Sequence, residues 1–265
     1  MATTMRLAIA GATGRMGRAL IEAIRADASL ALVAALEVPG SPALGRAAGD
    51  AGQVAITADV PAALAQSDAL IDFTRPEGTL AHLAACVSAG RAIVIGTTGF
   101  TPAQLAQIDA AAKRIPVAMA ANFAIGVNVF YQLAESAARI LGTDFDIEII
   151  EAHHRHKVDA PSGTALRLGE RVAAARGQDL AGHAVFARHG DTGERPAGAI
   201  GFHALRGGDI VGEHTILFAG AGERLELTVR SASRTTYAQG ALRAAKFLRG
   251  KAPGRYGMEQ VLGLS

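Results

Sequence analysis

The chain has 265 residues, with 26 lysine and arginine residues against 24 aspartate and glutamate residues, and a formal net charge of +2. Half of the residues are apolar and 19% are charged, a balance that is typical of folded globular proteins. The sequence has no long basic run and no apolar run of bilayer length, so we expect neither a nucleic-acid partner nor a membrane partner. The length predicts roughly two domains.

Cys86 is the only cysteine, so the chain cannot form an internal disulfide, which is compatible with a reducing compartment. Its place in a helical pattern predicts a small buried side chain rather than a nucleophile. The first residues, Met1–Leu7, lead directly into a strand pattern and lack the features of a signal peptide. Both observations are compatible with a cytosolic location.

The first half of the chain alternates short apolar runs with helical patterns. Continuous apolar runs predict strands that are buried on both faces, and hence a parallel sheet. The predicted strands are Leu7–Ala10, Leu30–Leu36, Val54–Thr57, Ala69–Asp72, Ala92–Ile95 and Val117–Ala120. This alternation indicates an α/β fold with a Rossmann-type doubly wound parallel sheet, which we place at residues 1–124.

Start and stop residues define the helices between these strands. One helix follows the glycine-rich segment that begins at Gly11 and extends to about Arg25. Pro76 predicts the first turn of another helix, which ends at Gly90, and Thr101 predicts the start of a third. The residues expected to face inward are Leu80, Leu83, Ala84 and Val87 in the second helix and Leu105, Ile108 and Ala112 in the third.

The second half of the chain has strands joined by short polar loops. Helices are predicted at Val127–Leu141, Gly163–Ala175 and Thr236–Leu248, and strands at Phe145–Ile150, Ala199–Leu205, Ile210–Phe218 and Arg224–Val229. Leu225, Leu227 and Val229 alternate with polar residues, which predicts one buried face. Short loops such as Arg206–Asp209 predict a mostly antiparallel sheet, in a second α+β domain at residues 125–234.

Gly11, Gly14 and Gly17 form a GxxGxxG pattern between the first strand and the first helix. Glycines there allow a tight turn and a close approach of a pyrophosphate to the helix N-terminus. Glu37 ends the second strand about twenty residues later, where an acid can bind the two hydroxyls of an adenosine ribose. The pattern predicts dinucleotide binding. The alternative is that the glycines only allow helix–sheet packing and that Glu37 makes a strand end soluble.

Three other loops with small or polar residues follow strand ends, at Asp72–Arg75, Gly96–Gly99 and Ala120–Phe123. Open α/β sheets bind their ligands beyond the carboxyl ends of the strands. We therefore expect these loops to line the nicotinamide half of the crevice, although each loop alone is compatible with ordinary turn chemistry.

The segment Glu151–Asp159 contains three histidines together with Arg155 and Lys157. Neighbouring positive charges repel one another and are costly to bury, so the cluster favours an anionic ligand. The helix start predicted at Pro161–Thr164 adds backbone N–H donors and the positive end of a helix dipole, which suit a carboxylate or a phosphate. We predict a site that holds an acid and transfers a proton. The alternative is a solvated basic loop.

Zinc is a competing interpretation of this cluster, because His154 and His156 lie two residues apart, with His153 and Asp159 nearby. However, no cysteine or second carboxylate lies at a familiar ligand spacing, and the neighbouring arginine and lysine would oppose a cation. We therefore predict no metal site. The histidines expected to be structural or exposed are His82, His183, His189, His203 and His214.

Taken together, these segments resemble the 4-hydroxy-tetrahydrodipicolinate reductase (dihydrodipicolinate reductase) family of bacterial and plant lysine biosynthesis. The resemblance covers nearly the whole chain, and its histidine-rich segment is highly specific. The matching segments are Gly11–Gly17, Asp72–Gly78, Gly96–Phe100, Ala121–Phe123, Glu151–Thr164, Gly207–His214 and Ser231–Arg234.

The resemblance implies a reductase that uses NADH or NADPH and acts on a small cyclic dicarboxylate imine. Water would be lost and tetrahydrodipicolinate formed, in the diaminopimelate route to lysine. The resemblance also implies a cytoplasmic homotetramer that assembles through the sheet of the second domain. The last helix, within residues 235–265, would return to the nucleotide domain.

By matched position, His153 is similar to the general acid of the family and Lys157 to its second proton donor. The resemblance also implies that His154 contacts substrate and that Gly163 and Thr164 hold a substrate carboxylate. The positions matched to nucleotide binding are Gly11, Ala12, Thr13, Gly14, Arg15, Met16, Glu37, Gly96, Thr97, Thr98, Ala120, Ala121, Asn122 and Phe123.

Val38 departs from the family pattern, because many members place an arginine directly after the acid at Glu37, where it can pair with a 2′-phosphate. We therefore expect NADH to be used at least as well as NADPH, unless Arg15 supplies the charge. Two alternative interpretations of the whole chain are an NAD-dependent amino-acid dehydrogenase of similar two-domain build and a non-enzymatic nucleotide sensor. The dehydrogenase gives no reason for two histidines and a lysine beside a helix start that binds carboxylate.

Overall fold

Two units of structure are present in the computed structural model, which describes residues 4–49, 53–233 and 235–264. The first unit comprises Met1–Ile125 together with Arg234–Ser265, and the second comprises Gly126–Ser233. Arg234, which belongs to one of the segments that carry the resemblance, lies outside the described residues.

A seven-stranded sheet forms the centre of the first unit. Its strands are β1 (Met5–Ala10), β2 (Leu30–Leu36), β3 (Ile56–Thr57), β4 (Ala69–Asp72), β5 (Ala92–Ile95), β6 (Pro116–Met119) and β12 (Gly254–Tyr256). They lie in the order β12-β6-β5-β4-β1-β2-β3, and every pair is parallel. The order reverses between β1 and β4, and open α/β sheets bind ligands at such a switch point.

Helices cover both faces of this sheet. They are α1 (Arg15–Arg25), α7 (Thr235–Leu248) and α8 (Met258–Leu262) on one face, and α2 (Val60–Gln66), α3 (Pro76–Ala89) and α4 (Pro102–Ala112) on the other. Strands buried from both sides explain the continuous apolar runs of the sequence. The predicted Rossmann-type fold is confirmed.

The inward face of α3 differs in part from the prediction. Thr79, Leu83 and Cys86 are buried, whereas Ala84 is exposed. Thr79 can be buried because its hydroxyl donates to Asp72 Oδ1 at 3.1 Å. A polar residue therefore lies on the inward face of α3, whereas the apolar pattern predicts Ala84 there. Burial raises the pKa of the Cys86 thiol to about 12, in agreement with a structural role for this side chain.

The second unit contains a five-stranded sheet and two long helices. Its elements are α5 (Ile125–Leu141), β7 (Asp146–His153), α6 (Gly163–Ala175), β8 (Ala184–Val185), β9 (Ile200–Arg206), β10 (Gly212–Ala219) and β11 (Arg224–Ser231). The strand order is β11-β10-β7-β9-β8. Strand β10 is antiparallel to β7 and β11, whereas β9 is parallel to β7 and β8.

The sheet of the second unit is therefore mixed rather than mostly antiparallel. The short loop after Arg206 does reverse the chain, but β9 and β10 are not neighbours, because β7 lies between them. Two strand spacings amount to about 9.6 Å, a distance that a loop of a few residues covers easily. Loop length alone therefore did not determine which strands pair.

The two faces of this sheet differ in burial. On one face, alternate residues of β7 such as Ile147, Ile149 and Glu151 are buried, and α6 packs against β7 and β9. On the other face, Ile150 is only partly buried, and Leu205 remains 54% exposed. The buried face predicted for the last strand is incomplete, because β11 is an edge strand and its residue Leu225 is exposed.

Helix α7 approaches the loop after β6 very closely at Gly240. A Cβ built at this position would lie 1.7 Å from the carbonyl oxygen of Phe123, which belongs to the same unit. Such a contact with backbone cannot be relieved by a side-chain rotation. Only glycine therefore allows α7 to pack at this distance.

We expect the substitution Gly240→Ala to destabilise the first unit by about 1–3 kcal/mol or more, because the methyl group overpacks a rigid backbone contact. Gly126→Ala in α5 is the matched control, since its Cβ would meet Val229 at 3.4 Å, an ordinary contact. Alanine also favours a helix over glycine by up to about 1 kcal/mol. Urea unfolding should show a lower midpoint for Gly240→Ala only. Equal midpoints for the two variants would contradict the packing argument.

Candidate functional site

The turn between β1 and α1 has the geometry of an anion-binding loop. Gly11 has a φ of +67°, and the N–H of Gly14 donates to its carbonyl oxygen at 3.0 Å. A Cβ at Gly17 would lie 2.1 Å from the same carbonyl oxygen, so the third glycine is required for the close approach of the helix. Gly14 caps α1 without a side chain, which leaves the first-turn N–H groups of α1 for a ligand.

Glu37 lies beside this turn, just after β2. Its Oε1 accepts hydrogen bonds from the backbone N–H of Thr13 at 2.9 Å and from the Thr13 hydroxyl at 2.6 Å. Burial raises the pKa of Glu37, but the bonds from Thr13 outweigh burial and hold it below its usual value. Thr13 therefore fixes the carboxylate in its charged form, while Oε2 accepts the backbone N–H of Val38 at 3.4 Å. Val38 is 68% exposed beside it.

The three other loops of the first unit meet through aromatic packing. The ring of Phe73 lies so close to Gly96 that a Cβ there would come within 2.0 Å of it. The rings of Phe73 and Phe123 are 5.6 Å apart. The structure thus brings together the loops after β4, β5 and β6, as expected from their positions at the carboxyl ends of neighbouring strands.

Asp72 connects the loops after β4 and β5 through hydrogen bonds. Its buried carboxylate bonds to His82 Nδ1 at 2.6 Å and accepts from the hydroxyl of Thr79. The hydroxyls of Thr79 and Thr97 are 2.7 Å apart, which extends the network to the Gly96–Gly99 loop. Burial raises the pKa of Asp72, but its hydrogen bonds to His82 and Thr74 keep it below the usual value. His82 is thus structural, as expected.

A buried carboxylate, Glu151, organises the basic segment of the second unit. Its Oε2 is 2.6 Å from His153 Nδ1, and its Oε1 accepts the backbone N–H of Ser162 at 3.0 Å. Arg206 donates to both oxygens at 2.7 Å. Burial raises the pKa of Glu151, but these donors hold it below its usual value. We refer to Glu151, His153, Ser162 and Arg206 as the Glu151 cluster.

His153 is the residue of this cluster at the end of β7. Burial lowers its pKa, and the contact with Glu151 opposes this shift without cancelling it. The ring of His214, on β10, meets the ring of His153 edge-on at 5.2 Å between centroids. Burial lowers the pKa of His214 to about 4, and its Nε2 is 3.0 Å from the Ser162 hydroxyl. His214 is therefore neutral at pH 7 and structural.

The chain turns immediately after β7. The N–H of Lys157 donates to the carbonyl oxygen of His154 at 3.1 Å, and the N–H of Arg155 donates to Gly208. Lys157 Nζ lies 2.9 Å from Asp159 at the surface. His154 Nδ1 is buried without a hydrogen-bond partner among the described residues, which suits a ligand contact. The turn therefore gathers His153, His154 and Lys157 in one short segment.

Helix α6 begins beside this turn. Ser162 is its N-cap, and the Ser162 hydroxyl accepts the N–H of Ala165 at 3.2 Å. Gly163 is exposed, and nothing lies within 4 Å of a Cβ built on it. The carbonyl of Thr164 accepts a hydrogen bond from the Tyr131 hydroxyl at 3.3 Å. The helix start is thus unobstructed at Gly163 and is held by the hydrogen bond from Tyr131, a geometry suited to a carboxylate.

Neither a metal-binding cluster nor a membrane-spanning helix is present among the described residues. No group of three or more histidine, cysteine, aspartate or glutamate side chains has an arrangement suited to a metal ion in the part of the chain that the structure describes. Within those residues, no helix is both long enough and apolar enough to cross a membrane.

Sequence reasoning identified the basic segment but gave no role to the acid that organises it. Glu151 and Arg206 are separated by 55 positions and meet because β7 and β9 are paired. Arg206 directly precedes the segment Gly207–His214, and its position next to that segment was the available signal. Thr13 was included in the nucleotide site, but its bonds to Glu37 were not expected.

Comparisons with known proteins agree over both units. The family model for the N-terminus of dihydrodipicolinate reductase matches residues 5–123, and the model for its C-terminus matches residues 126–262. The 4-hydroxy-tetrahydrodipicolinate reductases of Thiobacillus denitrificans and Burkholderia multivorans are each 58% identical to this chain. These matches cover 98% of this chain and 99% and 100% of the two relatives, respectively.

The fold is also similar to that of a solved structure, the dipicolinate-bound dihydrodipicolinate reductase from Paenisporosarcina sp. TG-14. The two chains are 27% identical, with a TM-score of 0.80, and the match covers 97% of this chain and 99% of the other.

Proposed function

The chain belongs to the dihydrodipicolinate reductase family, and we propose that it reduces 4-hydroxy-tetrahydrodipicolinate to tetrahydrodipicolinate with NADH or NADPH, in the diaminopimelate route to lysine. The observation that carries the proposal is that His153 at the end of β7, followed by His154 and Lys157 in the next turn, is connected through Glu151 to the N-cap of α6. Carboxylate-binding groups and proton donors in one segment match the needs of a dicarboxylate imine.

Substrate binding is assigned to the start of α6 and to the turn before it. Gly163 and Thr164 bind one substrate carboxylate at the helix start, where N–H donors and the helix dipole favour an anion. His154 contacts the substrate through its buried Nδ1, which has no partner among the described residues. A dipicolinate-bound relative of the same fold is consistent with a planar dicarboxylate at this site.

Proton transfer is assigned to His153, with Lys157 as a second donor. Burial lowers the pKa of His153 in the free protein. A bound dianion adds negative charge nearby and therefore raises this pKa again, so substrate binding favours the protonated imidazole. The proton is then supplied while negative charge develops on the substrate ring.

Nucleotide binding is assigned to the first unit. The backbone of Gly11, Ala12 and Gly14–Met16 holds the pyrophosphate, and Glu37 accepts the ribose hydroxyls through Oε2. The residues Gly96–Thr98 and Ala120–Phe123 hold the nicotinamide end. When bound, the reduced nicotinamide supplies a hydride to the conjugated imine. The tight glycine turn and the Thr13–Glu37 bonds fit such a cofactor.

The function is tested by following NADH absorbance while the preceding synthase generates the cyclic imine in place. We expect turnover by the wild type, and His153→Gln should lower kcat by roughly 10²–10⁴ with little effect on NADH affinity, as for a lost general acid. The matched control is His156→Gln, an exposed neighbour in the same turn. Wild type without turnover would refute the function. Equal kcat values for His153→Gln and wild type would refute the role of His153.

Cofactor choice follows from Glu37 and Val38. The carboxylate suits a ribose hydroxyl and repels a 2′-phosphate, while the exposed Val38 supplies no compensating charge. We expect NADH to bind at least as tightly as NADPH. A charge-assisted hydrogen bond is worth about 1.5–3 kcal/mol, so Val38→Arg should improve NADPH affinity roughly ten- to a hundredfold. Calorimetry with both cofactors measures this, and Val38→Met separates charge from bulk. NADPH that binds wild type more than tenfold tighter than NADH would indicate another cation, such as Arg15.

Assembly as a homotetramer is proposed from family membership and from the half-exposed face of the five-stranded sheet. Ile150 of β7, Leu217 of β10 and the exposed Leu205 of β9 lie on this face. Thr215 and Thr228 join β10 and β11 there through hydroxyls 2.9 Å apart. An ordered sheet face with apolar residues is suited to pack against a second copy of itself, as a symmetric interface requires.

Sedimentation equilibrium should give a species of about four chains for the wild type. Leu205→Asp should produce smaller species, because a charge would be buried at the interface. Leu133→Asp is the matched control, since Leu133 on α5 is 51% exposed against 54% for Leu205. A wild-type monomer at micromolar concentration, or equal dissociation of both variants, would contradict the assignment.

A further inference from the structure

The Glu151 cluster connects two parts of the second unit through one side chain. Glu151 is only 1% exposed, yet both of its oxygens are used twice. Oε2 lies 2.6 Å from His153 Nδ1 and 2.7 Å from Arg206 Nη1. Oε1 lies 3.0 Å from the backbone nitrogen of Ser162 and 2.7 Å from Arg206 Nη2. One carboxylate therefore bonds to both the end of β7 and the N-cap of α6.

We propose that Glu151 and Arg206 are positioning residues, which hold the proton donor His153 and the carboxylate-binding start of α6 in one fixed arrangement. The proposal rests on the reductase function proposed above. It deepens that function by naming the groups that orient the proton donor and the carboxylate-binding site. Neither residue is proposed to touch the substrate. Glu151 acts through His153 and Ser162, and Arg206 acts through Glu151.

The hydrogen bonds determine which nitrogen of His153 delivers the proton. A guanidinium and a backbone N–H can only donate, so Arg206 and Ser162 both require a charged, accepting Glu151. His153 Nδ1 must then be the protonated nitrogen that donates to Oε2, and Nε2 is left to gain and release the catalytic proton. A Cβ at Gly212 would lie 3.1 Å from Nε2, so the glycine leaves room beside that atom.

The charges around His153 show why the carboxylate matters. Two cations, Lys157 of the following turn and Arg206 of β9, disfavour a positive charge on the His153 ring. The neutral ring of His214 on β10 does not favour that charge. Glu151, from β7 itself, is the group of this set that favours the imidazolium. If its charge is removed, the pKa of His153 falls further, because burial and the two cations then act without opposition.

The second arm of the cluster reaches the helix start. The N–H of Ser162 donates to Glu151, and the Ser162 hydroxyl caps α6 through Ala165 and bonds to His214. A displaced Glu151 would therefore shift the N-cap as well as the imidazole. Proton donor and carboxylate site are thus expected to respond together to one substitution.

Glu148 on the same strand provides a matched control. Its carboxylate accepts two hydrogen bonds from Arg188 at 2.9 and 3.0 Å and one from Arg195 at 3.0 Å, and it lies 2.7 Å from His203. Burial raises the pKa of Glu148, but these partners lower it to about 2. The chemistry matches that of Glu151, but the partners differ: Arg188 and Arg195 belong to the segment between α6 and β9, and His203 to β9. None of the three belongs to the Glu151 cluster.

The experiment compares Glu151→Gln with Glu148→Gln by three measurements: the titration of His153 by ¹⁵N NMR, the pH profile of kcat/KM and the affinity for pyridine-2,6-dicarboxylate. A protonated general acid is lost as pH rises through its pKa, so a lower pKa moves the alkaline limb to lower pH. We expect Glu151→Gln to lower both the NMR value and the limb by about one to three units. Dicarboxylate affinity should fall roughly two- to tenfold, and Glu148→Gln should change none of the three.

A folded Glu151→Gln variant with an unshifted His153 titration would overturn the proposal, as would an equal shift in Glu148→Gln. If Glu151→Gln does not fold, the tautomer of His153 in the wild type tests the proposal instead. Above its pKa, His153 must carry its proton on Nδ1, and a proton on Nε2 would overturn the proposal. Glu151→Asp keeps the charge and should return the limb toward its wild-type position. The NMR and dicarboxylate measurements require no turnover, so a failure of the proposed reaction is distinguishable from a failure of the positioning role.

Discussion

The buried charge of Glu151 is the constraint on which the geometry of the second unit depends. Removing one partner from a buried ion pair costs about 3–5 kcal/mol, so this carboxylate requires donors on every side. Arg206 supplies two of them only because β9 pairs with β7 in parallel, which places the ends of the two strands together. Ser162 supplies another from the N-cap of α6. The burial of the charged Glu151 thus depends both on the parallel pairing of β7 with β9 and on the position of the N-cap of α6.

Acids at strand ends have a similar role in the first unit. Asp72 ends β4 and accepts hydrogen bonds from the hydroxyls of Thr74 and Thr97, in the loops after β4 and β5. Glu37 follows β2 and binds Thr13 of the glycine turn. In each case a carboxylate is kept charged by hydrogen bonds that outweigh burial. The partners come from a different segment each time. Loops with little regular structure of their own are therefore held by a rigid sheet, the arrangement that a precise binding site requires.

The features predicted from sequence were those with a local cause. Apolar runs and capping residues act over a few positions, so the Rossmann-type sheet and the approximate extent of α6 followed from them. The pairing of β7 with β9 depends on residues about 50 positions apart and leaves no periodic signal. β8 and α8 were too short for a pattern. The role of Arg206 was missed for the same reason as the pairing, whereas the histidines of the basic segment stood out because they are adjacent.

The return of the chain to the first unit has a consequence for its synthesis. Strand β12 completes the edge of the parallel sheet against β6, and α7 and α8 cover one face of that sheet. A ribosome makes these elements after the second unit, so the first unit stays incomplete until they have emerged. The second unit, by contrast, is continuous in sequence, so all of it is synthesised before α7, β12 and α8. During synthesis the sheet of the first unit would therefore carry six of its seven strands, with its edge at β6 unpaired, until β12 emerges.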